Sequence, residues 1–172
     1  KNRSSIILTL WNCIHSMNQS KNYPNVSILI PTFNRCNYLR RAIETAINQT
    51  YRCEVVVCDH GSVDNTPEII NDYIDRIRYI RLEKDFGVHF AELHALLEAT
   101  GDFIHFCFDD DWMDKNYIHH CIDLMDDDTG IVFSEYKVID LENENFCHST
   151  RNDIQHSIIK KNAAQGIFSK KS

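Results

Sequence analysis

Three consecutive aspartates, Asp109, Asp110 and Asp111, follow an apolar stretch of the sequence. Carboxylate oxygens are preferred ligands of Mg²⁺ and Mn²⁺, and two such ligands leave room for a diphosphate to complete the coordination shell. If the backbone stays extended across this aspartate run, Asp109 and Asp111 share one face and Asp110 points elsewhere. The run therefore predicts a metal site at Asp109 and Asp111, although a solvated turn would use the same residues.

Polar residues also follow two other apolar stretches. Thr32, Phe33 and Arg35 come after the first, where Phe33 could stack on a base and Arg35 could meet a phosphate. Asp59 comes after the second, two residues before Gly61, and its carboxylate could accept a hydrogen bond from a base N–H. Each residue also has an ordinary structural explanation. Phe33 could pack in the core, Arg35 could be solvated at the surface, and Asp59 could stabilise a turn.

Strands and helices alternate along the chain. Runs of β-branched and aromatic residues predict buried strands at residues 26–30, 54–58, 79–82, 103–108 and 131–139. Pro31 is expected to end the first strand. Apolar residues at helical spacing predict helices between the strands at residues 38–47, 66–77, 89–99 and 117–125. This alternation is typical of βαβ units, so we expect an α/β fold with a parallel sheet wrapped by helices.

The predicted sheet places the polar segments together. Ligands of open parallel sheets bind outside the carboxyl ends of the strands, at the point where the strand order reverses. Residues 32–35, 59–62 and 109–111 each follow a predicted strand. We therefore expect these three segments to line one cleft.

Composition excludes several classes of protein. The net charge of −7 over 172 residues argues against a general nucleic-acid binder. The seven cysteines form no CxxC pair, so free thiols are expected, and the scattered histidines do not predict zinc. No apolar run approaches the roughly 20 residues of a membrane span. We expect a cytoplasmic protein, or one held at a membrane surface through parts outside this sequence.

Two regions are expected along the chain. Residues 1–25 are predicted to form an N-terminal helix and linker, with Ile7, Leu10 and Ile14 at helical spacing. Residues 26–172 are predicted to form the main domain, which ends with a short helix around residues 154–159 and a strand at 166–168. Because the sequence begins with Lys1, we expect a piece of a longer protein.

Taken together, these segments resemble the family 2 glycosyltransferases of the GT-A fold. Residues 26–35, VSILIPTFNR, are similar to the family's first strand and its Pro-Thr-aromatic-Asn-Arg continuation. Residues 58–66, CDHGSVDNT, are similar to its Asp-Asp-Gly-Ser-x-Asp-x-Thr signature, with His60 in place of the second aspartate. Residues 99–104, ATGDFI, and 109–112, DDDW, follow at the family's intervals. The resemblance covers about residues 26–140.

This resemblance implies a GT-A domain, a mostly parallel sheet flanked by helices, that binds a nucleoside-diphosphate sugar with Mn²⁺ or Mg²⁺. It implies that Asp59 reads the base, and that Asp109 and Asp111 hold the metal, with Asp111 the stronger candidate for direct ligation. The expected nucleotide-sugar contacts are Pro31, Thr32, Phe33, Arg35, Asp59, Asp109 and Asp110.

The implied reaction is inverting transfer of a sugar to a hydroxyl of a glycan, lipid or protein acceptor, as in polysaccharide biosynthesis. The resemblance places the base well downstream of the metal motif, which implies that the domain of residues 26–172 is truncated at its carboxyl end. No catalytic residue is assigned, since the late aspartates here, Asp140 and Asp153, lack a recognisable context. Two departures from the family pattern leave an alternative open. His60 replaces an aspartate, and Glu92 stands where the family usually has an Arg-Asn pair, so the chain could be a degenerate domain that binds donor without efficient transfer. A nucleotidyltransferase is the other alternative, although residues 31–37 lack the glycines of its usual basic loop.

Overall fold

The computed structural model describes residues 24–126, 128–132, 134, 138–140, 145–148 and 158–160. The predicted N-terminal helix and the predicted strand at residues 166–168 lie outside these ranges. The described elements of the main domain are β1 (Val26–Thr32), α1 (Cys36–Ile47), β2 (Cys53–Asp59), α2 (Thr66–Asn71), β3 (Arg78–Arg81), α3 (Val88–Glu98), β4 (Phe103–Phe106) and α4 (Tyr117–Asp123). Among the described residues, no helix is both long and apolar enough to cross a bilayer.

The central sheet has four parallel strands in the order β3-β2-β1-β4. The chain adds β2 and β3 on one side of β1 and then returns to add β4 on the other. The strand order therefore reverses between β1 and β4, which is where open α/β sheets bind ligands. The predicted parallel sheet flanked by helices is confirmed.

Side chains that alternate along the central strands reach opposite faces of the sheet. On one face, Ile28 and Ile30 of β1 join a buried cluster that α1, α2 and α4 complete. On the other face, Leu29 packs in a second cluster against α3. Ala91 and Ala95, four residues apart in α3, are fully buried there, and such small side chains let a helix approach a sheet closely. Both faces of β1 are thus covered, and all seven of its residues are buried.

The expectation that Pro31 ends the first strand is wrong, because β1 continues to Thr32. Cys107 N donates to Leu29 O at 3.0 Å, so Leu29 points its main-chain groups toward β4, and Pro31, two positions later, faces the same side. The pairing with β4 stops at Leu29, whereas the pairing with β2 runs on to Thr32. Proline is tolerated here because no partner remains for the N–H that it lacks.

The end of the described chain also differs from expectation. The single strand predicted at residues 131–139 is two strands, β5 (Thr129–Val132) and β6 (Val138–Asp140). A third strand, β7 (Asn145–His148), pairs antiparallel with β6, and a fourth, β8 (Ile158–Lys160), pairs antiparallel with β5. The helix predicted across Ile158 and Ile159 is therefore wrong. Isoleucine favours strands, and long-range pairing with β5 overrides the helical spacing.

Candidate functional site

The loops after β1 and β4 meet through an ion pair at the reversal of strand order. Arg35 Nη1 lies 2.9 Å from Asp110 Oδ2, and the two side chains are 48% and 46% exposed. Exposed pairs of this kind contribute little to stability, at most about 1 kcal/mol. The structure thus brings together two predicted contacts from distant segments, and either group can exchange its partner for a ligand at small cost.

The aspartate run is a turn and not a strand. β4 ends at Phe106, and Asp111 N donates to Phe108 O at 3.0 Å. The expectation that an extended backbone places Asp109 and Asp111 on one face is therefore wrong. Asp109 is buried, whereas Asp110 and Asp111 are exposed. Aspartate is common in turns because its side chain bonds nearby main-chain groups.

The electrostatics of this turn suit a cation. Burial raises the pKa of Asp109 more than the nearby Thr32 hydroxyl and the Arg35 guanidinium lower it. Loss of hydration raises the pKa of Asp111 as well, and the charge of Asp110 adds to this shift. A divalent ion would stabilise both carboxylates in their charged form. Within the described ranges, no three His, Cys, Asp or Glu side chains gather closely enough to hold a metal, so a bound ion needs further ligands from a diphosphate or water.

Asp59, the predicted base contact, is fully buried at the end of β2. Its carboxylate accepts hydrogen bonds from Ser62 N at 2.8 Å, Tyr79 Oη at 3.0 Å and Arg81 Nη1 at 2.6 Å. Arg81 Nη2 also donates to Ser62 O at 2.8 Å. Asp59 therefore ties the loop after β2 to β3, and a base could reach its oxygens only if one of these donors moved. Its role in base recognition stays a prediction.

Phe33, the predicted stacking residue, lies against His60. The two rings are 4.8 Å apart between centroids and inclined by 23°. His60 N donates to Thr32 O at 3.1 Å, so the stack continues the pairing of β1 with β2. The sequence singled out His60 only as a departure from the family signature, and not as a partner of Phe33.

Asn34 joins the loops after β1 and β2 and was missed by the reasoning from sequence. Its backbone has a φ of 54°, a left-handed conformation that asparagine tolerates better than most residues. Asn34 N donates to Ser62 Oγ at 2.9 Å, and Val63 N donates to Asn34 Oδ1 at 2.8 Å. The available signal was an asparagine two residues after a strand.

Three side chains spaced four apart, Arg41 and Thr45 in α1 and Gln49 two residues after its end, hold the segment that follows the aspartate run. We call them the α1 ladder. None was predicted, although the regular spacing was visible in the sequence. The contacts are Arg41 Cζ over the Trp112 ring at 3.4 Å, Met113 N to Thr45 Oγ1 at 3.3 Å, Gln49 Nε2 to Asp114 O at 2.8 Å, and Ile118 N to Gln49 Oε1 at 3.1 Å.

The remaining candidates lie elsewhere. Pro31 and Thr32 are buried at the end of β1. Glu92 lies in α3, where His89 Nδ1 is 2.9 Å from its Oε2. Asp140 ends β6, and Asp153 lies outside the described residues.

Comparison with known proteins identifies the family. Residues 27–170 match the family model described as glycosyl transferase family 2. The chain belongs to this family.

Curated relatives are similar over most of this chain. An uncharacterized glycosyltransferase of Rickettsia typhi is 35% identical over 128 residues, which cover 72% of this chain and 40% of the relative. The chondroitin synthase of Escherichia coli is 33% identical over 128 residues, covering 71% of this chain and 18% of that protein. The chain thus spans less than half the length of these relatives.

Solved structures of similar proteins share the GT-A architecture. S. aureus TarS 1–349 in complex with UDP-GlcNAc is 27% identical with a TM-score of 0.53, covering 56% of this chain and 29% of that one. A mannosyltransferase from Pyrobaculum calidifontis in complex with GDP-Man and Mn²⁺ is 21% identical with a TM-score of 0.59, covering 72% of this chain and 41% of that one. The GT-A fold implied by the resemblance is confirmed.

Proposed function

We propose that this family 2 chain binds a nucleoside-diphosphate sugar and is part of an inverting glycosyltransferase. The observation that carries the proposal is the ion pair of Arg35 and Asp110, 2.9 Å apart. It joins the loops after β1 and β4 where the strand order reverses, next to the other carboxylates of the aspartate run. The Arg35 guanidinium can leave Asp110 to bind a diphosphate, and the neighbouring carboxylates can bind a metal ion. The site therefore suits a ligand that carries both a diphosphate and a bound metal ion.

The proposed donor site extends along the carboxyl ends of β1, β2 and β4. Arg35 meets the diphosphate, the aspartate run lies at the ribose and the metal, and the loops after β1 and β2 enclose the base. The complexes of TarS with UDP-GlcNAc and of the mannosyltransferase with GDP-Man support a nucleotide-sugar ligand. The proposed contacts are Pro31, Thr32, Phe33, Arg35, Asp59, Asp109 and Asp110.

We propose that Asp109 and Asp111 hold Mn²⁺ or Mg²⁺. Burial and a neighbouring charge raise the pKa values of both carboxylates. A divalent cation would offset the repulsion between their negative charges. When bound, the ion would supply a positive charge to neutralise the departing diphosphate. Arg35 would add a second positive charge once the diphosphate displaces Asp110.

Inverting transfer also needs a base for the acceptor hydroxyl, which loses its proton as it attacks the anomeric carbon. Asp140 and Asp153 remain the candidates for this base. The similarity to a chondroitin synthase supports a sugar acceptor in polysaccharide synthesis. Family membership favours this reaction over the alternative of a nucleotidyltransferase.

Calorimetric titration tests the proposal. UDP-GlcNAc and GDP-mannose are each titrated into the chain with Mn²⁺ and with EDTA, and free N-acetylglucosamine serves as the control ligand. We expect at least one nucleotide sugar to bind at one site, more tightly with Mn²⁺, and the free sugar not to bind. Absence of binding by both nucleotide sugars would contradict the donor site, and equal affinity in EDTA would contradict the metal.

A further inference from the structure

His60 is a buried histidine whose two ring nitrogens have different surroundings. The residue is only 5% exposed, and one face of its ring is covered by Phe33 at 4.8 Å. Its Nδ1 lies 2.7 Å from Asp85 Oδ1. The side chain is thus held at the carboxyl end of β2 by a stacked ring and a short hydrogen bond, in the loop that we assign to the base.

Asp85 determines which nitrogen of His60 carries the proton. Hydrogen bonds from Gly87 N and from His60 hold the pKa of Asp85 below its ordinary value, so the carboxylate is ionised and only accepts. In the neutral imidazole the N–H must therefore sit on Nδ1, which leaves a lone pair on Nε2. His60 offers its second nitrogen as a hydrogen-bond acceptor.

The backbone around Gly61 fixes this pairing. Gly61 has a φ of +95°, and a Cβ at this position would lie 2.7 Å from Lys84 Cα. Only glycine allows both the conformation and the close approach. The loop that carries His60 is therefore packed directly on the segment that carries Asp85.

The Nε2 atom of His60 has no hydrogen-bond partner among the described residues. Buried side-chain atoms without a well-aligned hydrogen bond are, in this part of the chain, the hydroxyls of Thr32 and Thr66. The His60 side chain is 7% exposed, so its ring is not completely enclosed. An unpaired acceptor on an otherwise buried, fixed ring is suited to a ligand that donates a hydrogen bond.

Asp59 is a weaker candidate for reading the base. All of its bonds go to protein donors, and the residue is fully buried. His60 is the next residue and already contacts Phe33, the predicted stacking platform.

We propose that His60 reads the base of the nucleotide by accepting a hydrogen bond at Nε2, with Asp85 as the positioning residue that fixes the tautomer. This inference rests on the proposed donor site. Uracil, thymine and guanine present a ring N–H at the base-pairing edge, whereas cytosine and adenine present a lone pair there. His60 therefore selects a base of the first group and rejects one of the second, since two facing lone pairs leave both acceptors unpaired.

UDP and CDP form a matched pair of probes, because their bases differ only at ring position 3 and its neighbour. Both are titrated into the chain with Mn²⁺ at pH 8, above the usual titration range of imidazole. We expect UDP to bind on the order of 10-fold more tightly than CDP, or better. The 3-methyl derivative of UDP, which lacks the ring N–H, tests the same contact without any substitution and is expected to lose most of this advantage.

Two substitutions assign the effect to the proposed residues. His60→Leu should bring the UDP and CDP affinities within about 2-fold of each other. Asp85→Asn should lower the ratio, because an amide can either donate or accept and no longer fixes the tautomer. His89→Gln, at a histidine whose side chain is 92% exposed, is the matched control and should keep the full ratio. Nitrogen-15 spectra of His60 should show a protonated Nδ1 in the unsubstituted chain and a mixture of tautomers in Asp85→Asn.

The outcomes separate this inference from the proposed function. Equal binding of UDP and CDP by the unsubstituted chain overturns the role of His60 and leaves the donor site standing. A UDP preference that survives His60→Leu or 3-methylation also overturns it. Failure of every nucleoside diphosphate to bind overturns both.

Discussion

The guanidinium carbon of Arg41 lies 3.4 Å from the centre of the Trp112 ring, one residue after the aspartate run. This contact is the first rung of the α1 ladder, which continues through Thr45 to Gln49. A helix packed firmly in the core thereby fixes the main chain that follows the proposed metal ligands. The turn itself is solvent-exposed at Asp110 and Asp111, so its geometry depends on this support.

Removing the Gln49 side chain should loosen the segment that follows the aspartate run. Gln49→Ala removes the hydrogen bonds to Asp114 O and from Ile118 N. We expect a loss of about 1–3 kcal/mol in the free energy of unfolding, measured by urea denaturation, and weaker Mn²⁺-dependent binding of UDP. Asn71→Ala, at the exposed end of α2, is the control. Equal stability of the two variants would show that the ladder does not support the turn.

The metal prediction is tested at Asp111. Asp111→Asn keeps the shape of the side chain but removes the charge that a divalent ion requires. We expect the variant to bind UDP with the same affinity in Mn²⁺ as in EDTA, as measured by calorimetry. Asp123→Asn, at an exposed acid of α4, should keep the dependence on Mn²⁺. A variant at Asp111 that responds normally to Mn²⁺ would move the ion to other ligands.

Asp59 should matter first for stability. Asp59→Asn leaves the Arg81 guanidinium without its 2.6 Å carboxylate partner and replaces an acceptor oxygen with a donor. We expect the unfolding free energy to fall by about 2–3 kcal/mol. Asp72→Asn breaks the ion pair with Arg40, whose side chains are 45% and 53% exposed, and should cost at most about 1 kcal/mol. A small effect at Asp59 would argue that its carboxylate is free to serve a ligand.

Acid should destabilise the protein through His105, on β4. Burial lowers its pKa from 6.5 to about 4. The unfolded chain therefore takes up a proton below pH 6.5 that the folded chain refuses until about pH 4. Stability from this group is complete above pH 6.5 and is lost as the pH falls toward 4, by at most about 3 kcal/mol.

Urea denaturation at pH 7 and pH 5 measures this loss. His105→Phe, which keeps a ring against Tyr117, should remove most of the difference between the two pH values, whereas the control His120→Gln should not. The pKa of Asp64 is lowered to about 2, so this group changes the unfolding free energy only below the pH range of the experiment. A His105→Phe protein with the original pH dependence would assign the effect to another group.

Much of the architecture follows from local pattern. Buried strands such as residues 54–58 are continuous apolar runs, as strands covered on both faces must be. The alternation of such runs with amphipathic helices requires βαβ units, and parallel strands bring their carboxyl ends to one edge. The meeting of Arg35 with the aspartate run is thus a consequence of topology that the sequence already contained. The strand at Ile158 and Ile159 was missed because its partner, β5, lies far away in the chain.

The sequence by itself determined the parallel sheet, the edge where its polar segments collect and the chemical types of the residues there. Only the tertiary structure decided how each of those residues is engaged. The Asp59 carboxylate accepts from donors up to 22 positions away, and His60 pairs with an aspartate 25 positions away. The segment after the aspartate run is held by a residue of α1 that precedes it by 68 positions. Hydrogen-bond partners so distant leave no local pattern, because they are chosen by how the strands and helices pack and not by the residues beside them.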